Sequence, residues 1–157
     1  HRRSRAAICA RLRVFLMHLP VSLRIIGVLL MLFSTAMLPP MILGLLDNDG
    51  SAHAFAIAFG INLLAGLTLW LPTRNARRDL RIRDGFLVTA LFWIVLGSFG
   101  SVPFLTSDAV PLSLADALFE SVSGLTTTGA TVIAGLDDLP RSLLLYRQQL
   151  QWLGLAA

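Results

Sequence analysis

The chain has 157 residues, of which 55% are hydrophobic and only 14% are charged, and its mean hydropathy is +0.74. Soluble domains are about 45–50% apolar, so this composition excludes an ordinary soluble domain and indicates an integral membrane protein. The formal net charge is +4, and all 13 basic residues are arginines that flank apolar segments. Since no aromatic residues are interleaved with them, we expect no nucleic-acid partner.

The first segment, residues 1–24, carries six arginines and no acidic residue. Arginine-rich segments stay on the cytoplasmic side of a membrane, so we expect a cytoplasmic N-terminus. Translation from Met17 is an alternative, under which residues 1–16 would not contribute to the fold.

Residues 25–72 are predicted to form a pair of transmembrane helices. The charge-free stretches 25–46 and 54–71 are each long enough to cross about 30 Å of hydrocarbon. Pro39 and Pro40 predict a kink or break in the first helix. The alternative is a helix that ends before them, followed by a turn at the membrane surface.

The two helices are joined by an acidic turn at 47–50, which we expect on the outside. Asn62 and Gly66 indicate that the second helix packs closely on another helix, and Pro72 is expected just beyond its end. Residues 73–84 contain five arginines and are predicted to form a cytoplasmic loop, in agreement with the N-terminus.

A third span is predicted at 85–105, within a region 85–157 that forms the next structural unit. Gly97 and Gly100 favour a close helix contact, and Pro103 is expected to close the span. Residues 106–113 read as a polar outer connection. A fourth span should begin between Arg141 and Trp152.

A short helix follows the outer connection. Ser113 is its expected N-cap, and Asp116 lies in the first turn. The helix has about 11 residues, or about 16 Å at 1.5 Å per residue, which is half of a bilayer. Its apolar positions recur at helical spacing: Leu114, Ala117, Leu118, Phe119, Val122 and Leu125.

The helical pattern gives way to a Thr- and Gly-rich turn, 125–130. Irregular backbone survives in a membrane only where protein buries it or where it lines a watery cavity, so we predict a re-entrant pore loop. The C-terminal end of the short helix carries partial negative charge and favours a cation. Gly129 can adopt a positive φ, which lets successive carbonyls point the same way.

The acidic residues do not indicate an enzyme. Asp116 and Glu120 share one helix face, but no nucleophile is placed to work with them. A carboxylate such as Glu120 is more often structural or part of an ion path. Asp137 and Asp138 either concentrate cations or form an ordinary solvated turn.

The stretch Phe119-Glu-Ser-Val-Ser-Gly-Leu-Thr-Thr-Thr-Gly-Ala-Thr131 resembles the first pore region of TrkH-type potassium uptake proteins, of the Trk/Ktr/HKT superfamily. The similarity extends over roughly residues 17–152, and its specific part is 126–130. It implies an all-α integral membrane fold with four membrane–pore–membrane repeats around one pore. This chain would supply the N-terminal helix pair and the first repeat, with a re-entrant pore helix, a filter loop and a truncated last helix.

The resemblance implies potassium uptake across the bacterial inner membrane by a multi-pass protein that is not an enzyme. One of four filter segments would come from this chain, with Thr126, Thr127, Thr128 and Gly129 binding potassium through backbone carbonyls. No cofactor is implied besides the transported ion. The implied partners are membrane lipid, a second copy in a homodimer, and a cytoplasmic nucleotide-binding regulatory subunit.

The family pattern continues beyond Trp152 with a glycine-rich run, a full inner helix and three further repeats. We therefore expect this chain alone to be an incomplete, non-conducting part of such a transporter. Two alternatives stay open. One is a small subunit that forms a homotetrameric pore, and the other is a non-transporting membrane subunit in which Thr126–Gly129 is a buried turn.

Overall fold

The computed structural model describes residues 20–75 and 82–156. Most of the predicted basic N-terminus, 1–24, and the middle of the arginine-rich loop, 73–84, lie outside these residues. The described parts are all helical and contain no strand. The predicted all-α class is therefore confirmed.

Seven α-helices and one 3₁₀ turn make up the described parts of the chain. Three segments are long and apolar enough to cross a membrane, namely Pro20–Asp47, Ala52–Thr73 and Gly85–Thr106. In chain order the helices are α1 (20–35), α2 (Leu38–Asp47), α3 (Ala52–Thr73), α4 (Ile82–Gly100), α5 (Val102–Thr106), α6 (Leu114–Leu125), the 3₁₀ turn Leu136–Asp138, and α7 (Arg141–Ala156).

The first span is broken between α1 and α2, as the two prolines predicted. The break itself lies at residues 36–37, just before the prolines, where the Met37 N–H bonds to the Ser34 carbonyl at 3.0 Å. Pro39 and Pro40 then occupy the first turn of α2, where a missing N–H costs nothing. The alternative of a surface turn after the break is wrong, because residues 38–47 are helical.

The third span shows the same arrangement, and its predicted extent, 85–105, is confirmed by the observed span Gly85–Thr106. Pro103, expected to close this span, is buried in the first turn of the short helix α5, which ends the span at Thr106. Pro72 likewise lies inside the last turn of α3 and not beyond it. Pro103 lies in a first turn, where its missing N–H is tolerated, whereas Pro72 removes one hydrogen bond from the last turn of α3, one residue before the helix ends.

α1 and α3 cross at two glycines. A methyl group on Gly66 would lie 2.8 Å from the Gly27 carbonyl oxygen, and one on Gly27 would lie 2.9 Å from the Gly66 carbonyl oxygen. Only glycine at both positions permits this backbone contact. Asn62, one turn before Gly66, is buried as well. The predicted packing face of the second helix is therefore confirmed, whereas Gly27 was not predicted.

Tyr146 of α7 lies at the centre of the core. Its side chain is completely buried, and its hydroxyl donates to the Gly100 carbonyl at 2.7 Å. Its ring contacts Phe55 of α3 and Phe104 of α5 at centroid distances of 5.5 and 5.3 Å. One aromatic residue thus joins three helices to α7.

Asp49 fastens the α2–α3 turn to the start of α7. Its carboxylate accepts from the Ser142 hydroxyl at 2.6 Å, from the Ser51 N–H at 2.9 Å and from the Ser51 hydroxyl. Burial would raise the pKa of Asp49, but the hydrogen bonds from Ser142 and Ser51 outweigh it and hold the pKa below its usual value of 3.8.

Candidate functional site: the Thr–Gly loop after α6

α6 begins as the sequence predicts. The Ser113 hydroxyl accepts from the Asp116 N–H at 3.2 Å and donates to the Asp116 carboxylate at 2.7 Å. The predicted N-cap is therefore confirmed, and the helix ends at Leu125. Because Asp116 belongs to this cap, it does not act as a pair with Glu120.

α6 does not bury its apolar stripe. The buried residues are small or polar for the most part: Ala117, Glu120, Ser121, Ser123, Gly124 and Leu125. Leu114, Phe119 and Val122 are exposed instead. An open groove of about 340 Å³ runs along this exposed apolar side and reaches Thr126 and Thr128.

Glycines bring α6 against α4 and α7. A methyl group on Gly100 of α4 would lie 2.5 Å from the Ser121 hydroxyl oxygen, and one on Gly97 would lie 3.0 Å from Val122. On the other side, a methyl group on Gly154 of α7 would lie 1.8 Å from the Leu125 carbonyl oxygen. The contact predicted from Gly97 and Gly100 is confirmed, and the contact of Gly154 was not predicted.

The backbone N–H groups of the loop turn back onto the end of α6. Those of Thr128 and Gly129 both donate to the Ser123 carbonyl, at 3.0 and 3.3 Å. The Thr126 and Thr127 N–H groups bond to carbonyls of Val122 and Gly124 in the same way, at 2.8 and 2.9 Å. All four amide hydrogens of the loop are therefore used by α6 itself.

Two loop residues have positive φ. Gly129 has φ +72°, which costs glycine little, and this confirms the predicted conformation. Thr127 has φ +56°, which is uncommon for a β-branched residue and costs about 1–3 kcal/mol. Strained backbone of this kind clusters at functional sites, where the surroundings enforce it.

The carbonyl oxygens of Thr126–Gly129 accept no hydrogen bond within the described parts of the chain. The loop is exposed, so nothing there covers these oxygens. The Thr126 and Thr128 hydroxyls lie 2.9 Å apart, and the former also donates to the Val122 carbonyl at 2.7 Å. The loop thus offers neutral oxygens and no carboxylate, which suits a monovalent cation that must bind and leave.

Glu120 anchors the segment that follows the loop. Its side chain is 1% exposed, and its Oε1 accepts from the Thr131 hydroxyl at 2.5 Å and the Val132 N–H at 2.7 Å. Its Oε2 accepts from Arg147 Nε at 3.0 Å, and the Arg147 side chain is only 11% exposed. This buried ion pair connects α6, the returning segment and α7.

Ser123 holds the other end of the loop. Its carbonyl accepts two loop N–H groups, and its hydroxyl donates to the Ala130 carbonyl at 2.7 Å. Ser123 therefore holds the loop in place through hydrogen bonds, and Glu120 does the same for the segment that follows. Of Ser123 and Glu120, only Glu120 was considered in the sequence analysis. Its contacts agree with the structural role that was one of the two interpretations given for it.

Comparison with known proteins places these features in a family. The model of the TrkH cation transport protein family matches residues 51–157. The Trk system potassium uptake proteins TrkH of Halomonas elongata and of Escherichia coli K12 are 58% and 49% identical to the chain, each over 88% of it and 29% of the relative.

The crystal structure of the potassium transporter TrkH from Vibrio parahaemolyticus superposes with a TM-score of 0.83 at 51% identity, over 87% of this chain and 29% of that one. The chain therefore spans less than a third of the length of these relatives. A family match over more than half of the chain, together with the shared helical fold, shows that it belongs to the TrkH family of cation transport proteins.

Proposed function

We propose that this chain supplies one filter segment of a potassium uptake pore, with the carbonyl oxygens of Thr126, Thr127, Thr128 and Gly129 as ligands. The proposal rests on how the N–H and carbonyl groups of the loop backbone are used. Its N–H groups are bonded to α6, while its carbonyls have no donor among the described residues. Oxygens that replace the hydration shell of potassium must be free in this way.

The electrostatics of α6 support a cation at this position. The loop follows the C-terminal end of α6, where the aligned peptide dipoles of the helix give a partial negative charge. The one buried carboxylate nearby, Glu120, is neutralised by Arg147 and is not presented to the loop. A pore lined in this way attracts cations without trapping them, which favours transport over catalysis.

The membrane arrangement follows from the arginines. We propose a bacterial inner-membrane protein with the N-terminus and loop 73–84 in the cytoplasm, the helix pair at 25–72 and the first repeat at 85–157. α6 would then enter the membrane from the outer side as a re-entrant pore helix. Its 12 residues span about 18 Å, which is too short to cross.

The other three filter segments would come from further parts of a longer protein. The exposed apolar side of α6, with Leu114, Phe119 and Val122, is suited to pack against them. The curated relatives are more than three times as long as the matched region, which leaves room for three more repeats. We further propose a homodimer and a cytoplasmic nucleotide-binding regulatory subunit, on the family resemblance alone.

Substitution of Gly129 by Ser tests the proposal in the full product of the native gene. A side chain at φ +72° forces the loop to rearrange, so we expect the potassium-to-sodium uptake ratio to fall. Gly135→Ser is the matched control, because Gly135 also has φ +72° but lies after the loop. An unchanged ratio in Gly129→Ser, with normal uptake, would instead support a non-transporting role for the loop as a buried turn.

A further inference from the structure

We propose that Ser123 of α6 is a positioning residue for the filter, which restrains the Gly129 carbonyl and ends the row of ion ligands before Ala130. This inference rests on the proposed function and names a residue outside the loop that sets its ion preference. Two observations carry it. Ser123 is hydrogen-bonded to the backbone on both sides of the Gly129 carbonyl, and the Ala130 carbonyl is bonded to Ser123 whereas the four carbonyls before it are free.

Ser123 is a fixed point because it lies on the buried side of the last turn of α6. It is 6% exposed, and the next residue, Gly124, packs so closely on α7 that a methyl group there would lie 2.9 Å from the Leu150 Cβ. Because α6 ends at Leu125, the Ser123 carbonyl belongs to the last turn, whose carbonyls have no amide partner within the helix. It is therefore available to the N–H groups of the loop.

The hydrogen bonds of Ser123 enclose the Gly129 carbonyl. On one side, the Ser123 carbonyl accepts from the Thr128 N–H at 3.0 Å and from the Gly129 N–H at 3.3 Å. On the other side, the Ser123 hydroxyl donates to the Ala130 carbonyl at 2.7 Å. The Gly129 carbonyl lies in the peptide between these two attachments, so its direction is restrained although glycine itself permits many backbone conformations.

The Ala130 carbonyl is used differently from the carbonyls of the loop. Those of Thr126–Gly129 accept no hydrogen bond from the residues that the structure describes, whereas that of Ala130 accepts one from Ser123. A donor lies near a lone pair of its acceptor, so the Ala130 carbonyl is turned towards α6 and is less available to an ion. The row of free carbonyls therefore ends at Gly129.

This restraint bears on ion preference. Selectivity depends on how many carbonyls surround the ion and on how closely they approach it. Without the Ser123 hydroxyl, the Ala130 carbonyl is free to turn, and the Gly129 carbonyl loses one of its two restraints. Carbonyls that are less restrained can move in towards the smaller sodium ion, so loss of the hydroxyl should weaken the preference for potassium.

Ser123→Ala tests this role, because it removes the hydroxyl and leaves the backbone carbonyl of residue 123 in place. Ser121→Ala is the matched control, since Ser121 is buried in the same helix and its hydroxyl has no hydrogen-bond partner among the described residues. Potassium and sodium uptake are measured with the full gene product at equal amounts in the membrane. We expect Ser123→Ala to lower the potassium-to-sodium ratio about fivefold, the effect of one lost hydrogen bond, and Ser121→Ala to keep it.

Gly129→Ser in the same assay tells the two proposals apart. If Gly129→Ser lowers the ratio while Ser123→Ala keeps or raises it, the role of Ser123 is overturned and the filter stands. An equal fall of the ratio in Ser121→Ala, or an equal loss of potassium and sodium uptake in Ser123→Ala, also overturns that role, because the packing of α6 would then explain the change. If Gly129→Ser and Ser123→Ala both keep the ratio, both proposals are overturned.

Discussion

Neutralising Glu120 is expected to lower the free energy of unfolding, because Arg147 then loses its carboxylate partner. In Glu120→Gln one oxygen can still accept from Thr131 and Val132, but the new NH₂ group faces the Nε–H of Arg147, donor against donor. Arg147, only 11% exposed, is left as an uncompensated buried charge. Breaking one partner of such a pair costs about 3–5 kcal/mol.

Equilibrium unfolding in mixed detergent micelles measures this cost, with the three tryptophans as fluorescent reporters. Asp137→Asn is the matched control, because Asp137 is an exposed carboxylate in the same loop region, and we expect it to change stability by less than about 0.5 kcal/mol. The double variant Glu120→Gln/Arg147→Met removes both charges. We expect it to recover most of the loss, since a buried pair replaced as a whole is nearly neutral.

A stabilising Glu120–Arg147 pair is refuted if Glu120→Gln is no more destabilising than Asp137→Asn. It is also refuted if the double variant is as unstable as the sum of the two single ones, because no coupling would then exist between the two side chains.

Three further predictions concern single residues. Gly154→Ala should prevent α7 from closing on α6 and lower the thermal midpoint sharply, whereas Gly60→Ala, with open space around it, should raise the midpoint slightly. Thr127→Gly should relieve the strained φ of +56° and stabilise the protein by about 1 kcal/mol, while measured ion selectivity falls. Because the pKa of Asp49 is lower in the folded than in the unfolded protein, its stabilisation is complete above about pH 3.8 and is lost as the pH falls through the lower folded value. Asp49→Asn should therefore be less stable than the wild type at neutral pH, and the difference should shrink in acid-unfolding curves.

Features that depend on neighbouring residues could be predicted from the sequence. Charge-free length located the spans, and the Ser113 cap located the start of α6. Gly129 stands out in a run of threonines, and its positive φ follows from the turn that the chain must make there. The pair Pro39–Pro40 predicted a break, but not its place, because proline is tolerated in the first turn of a helix as well as just beyond its end.

Features that depend on distant residues could not be predicted in this way. Arg147 lies 27 residues after Glu120, and a single sequence contains nothing that pairs them. Hydrophobic spacing also failed to identify the buried face of α6, because in a membrane apolar side chains face outward as readily as inward. Small residues such as Gly124 and Gly154 form the contact instead, and their importance is visible only once the helices are placed together.

Anomalous diffraction from crystals of the full gene product grown in rubidium would show where the transported cation binds. Rubidium substitutes for potassium and can be located independently of the protein atoms. We expect a rubidium peak within about 3 Å of the carbonyl oxygens of Thr126–Gly129, since direct ligation leaves no room for water. Rubidium found elsewhere along the pore, with these carbonyls bonded only to protein donors, would contradict it.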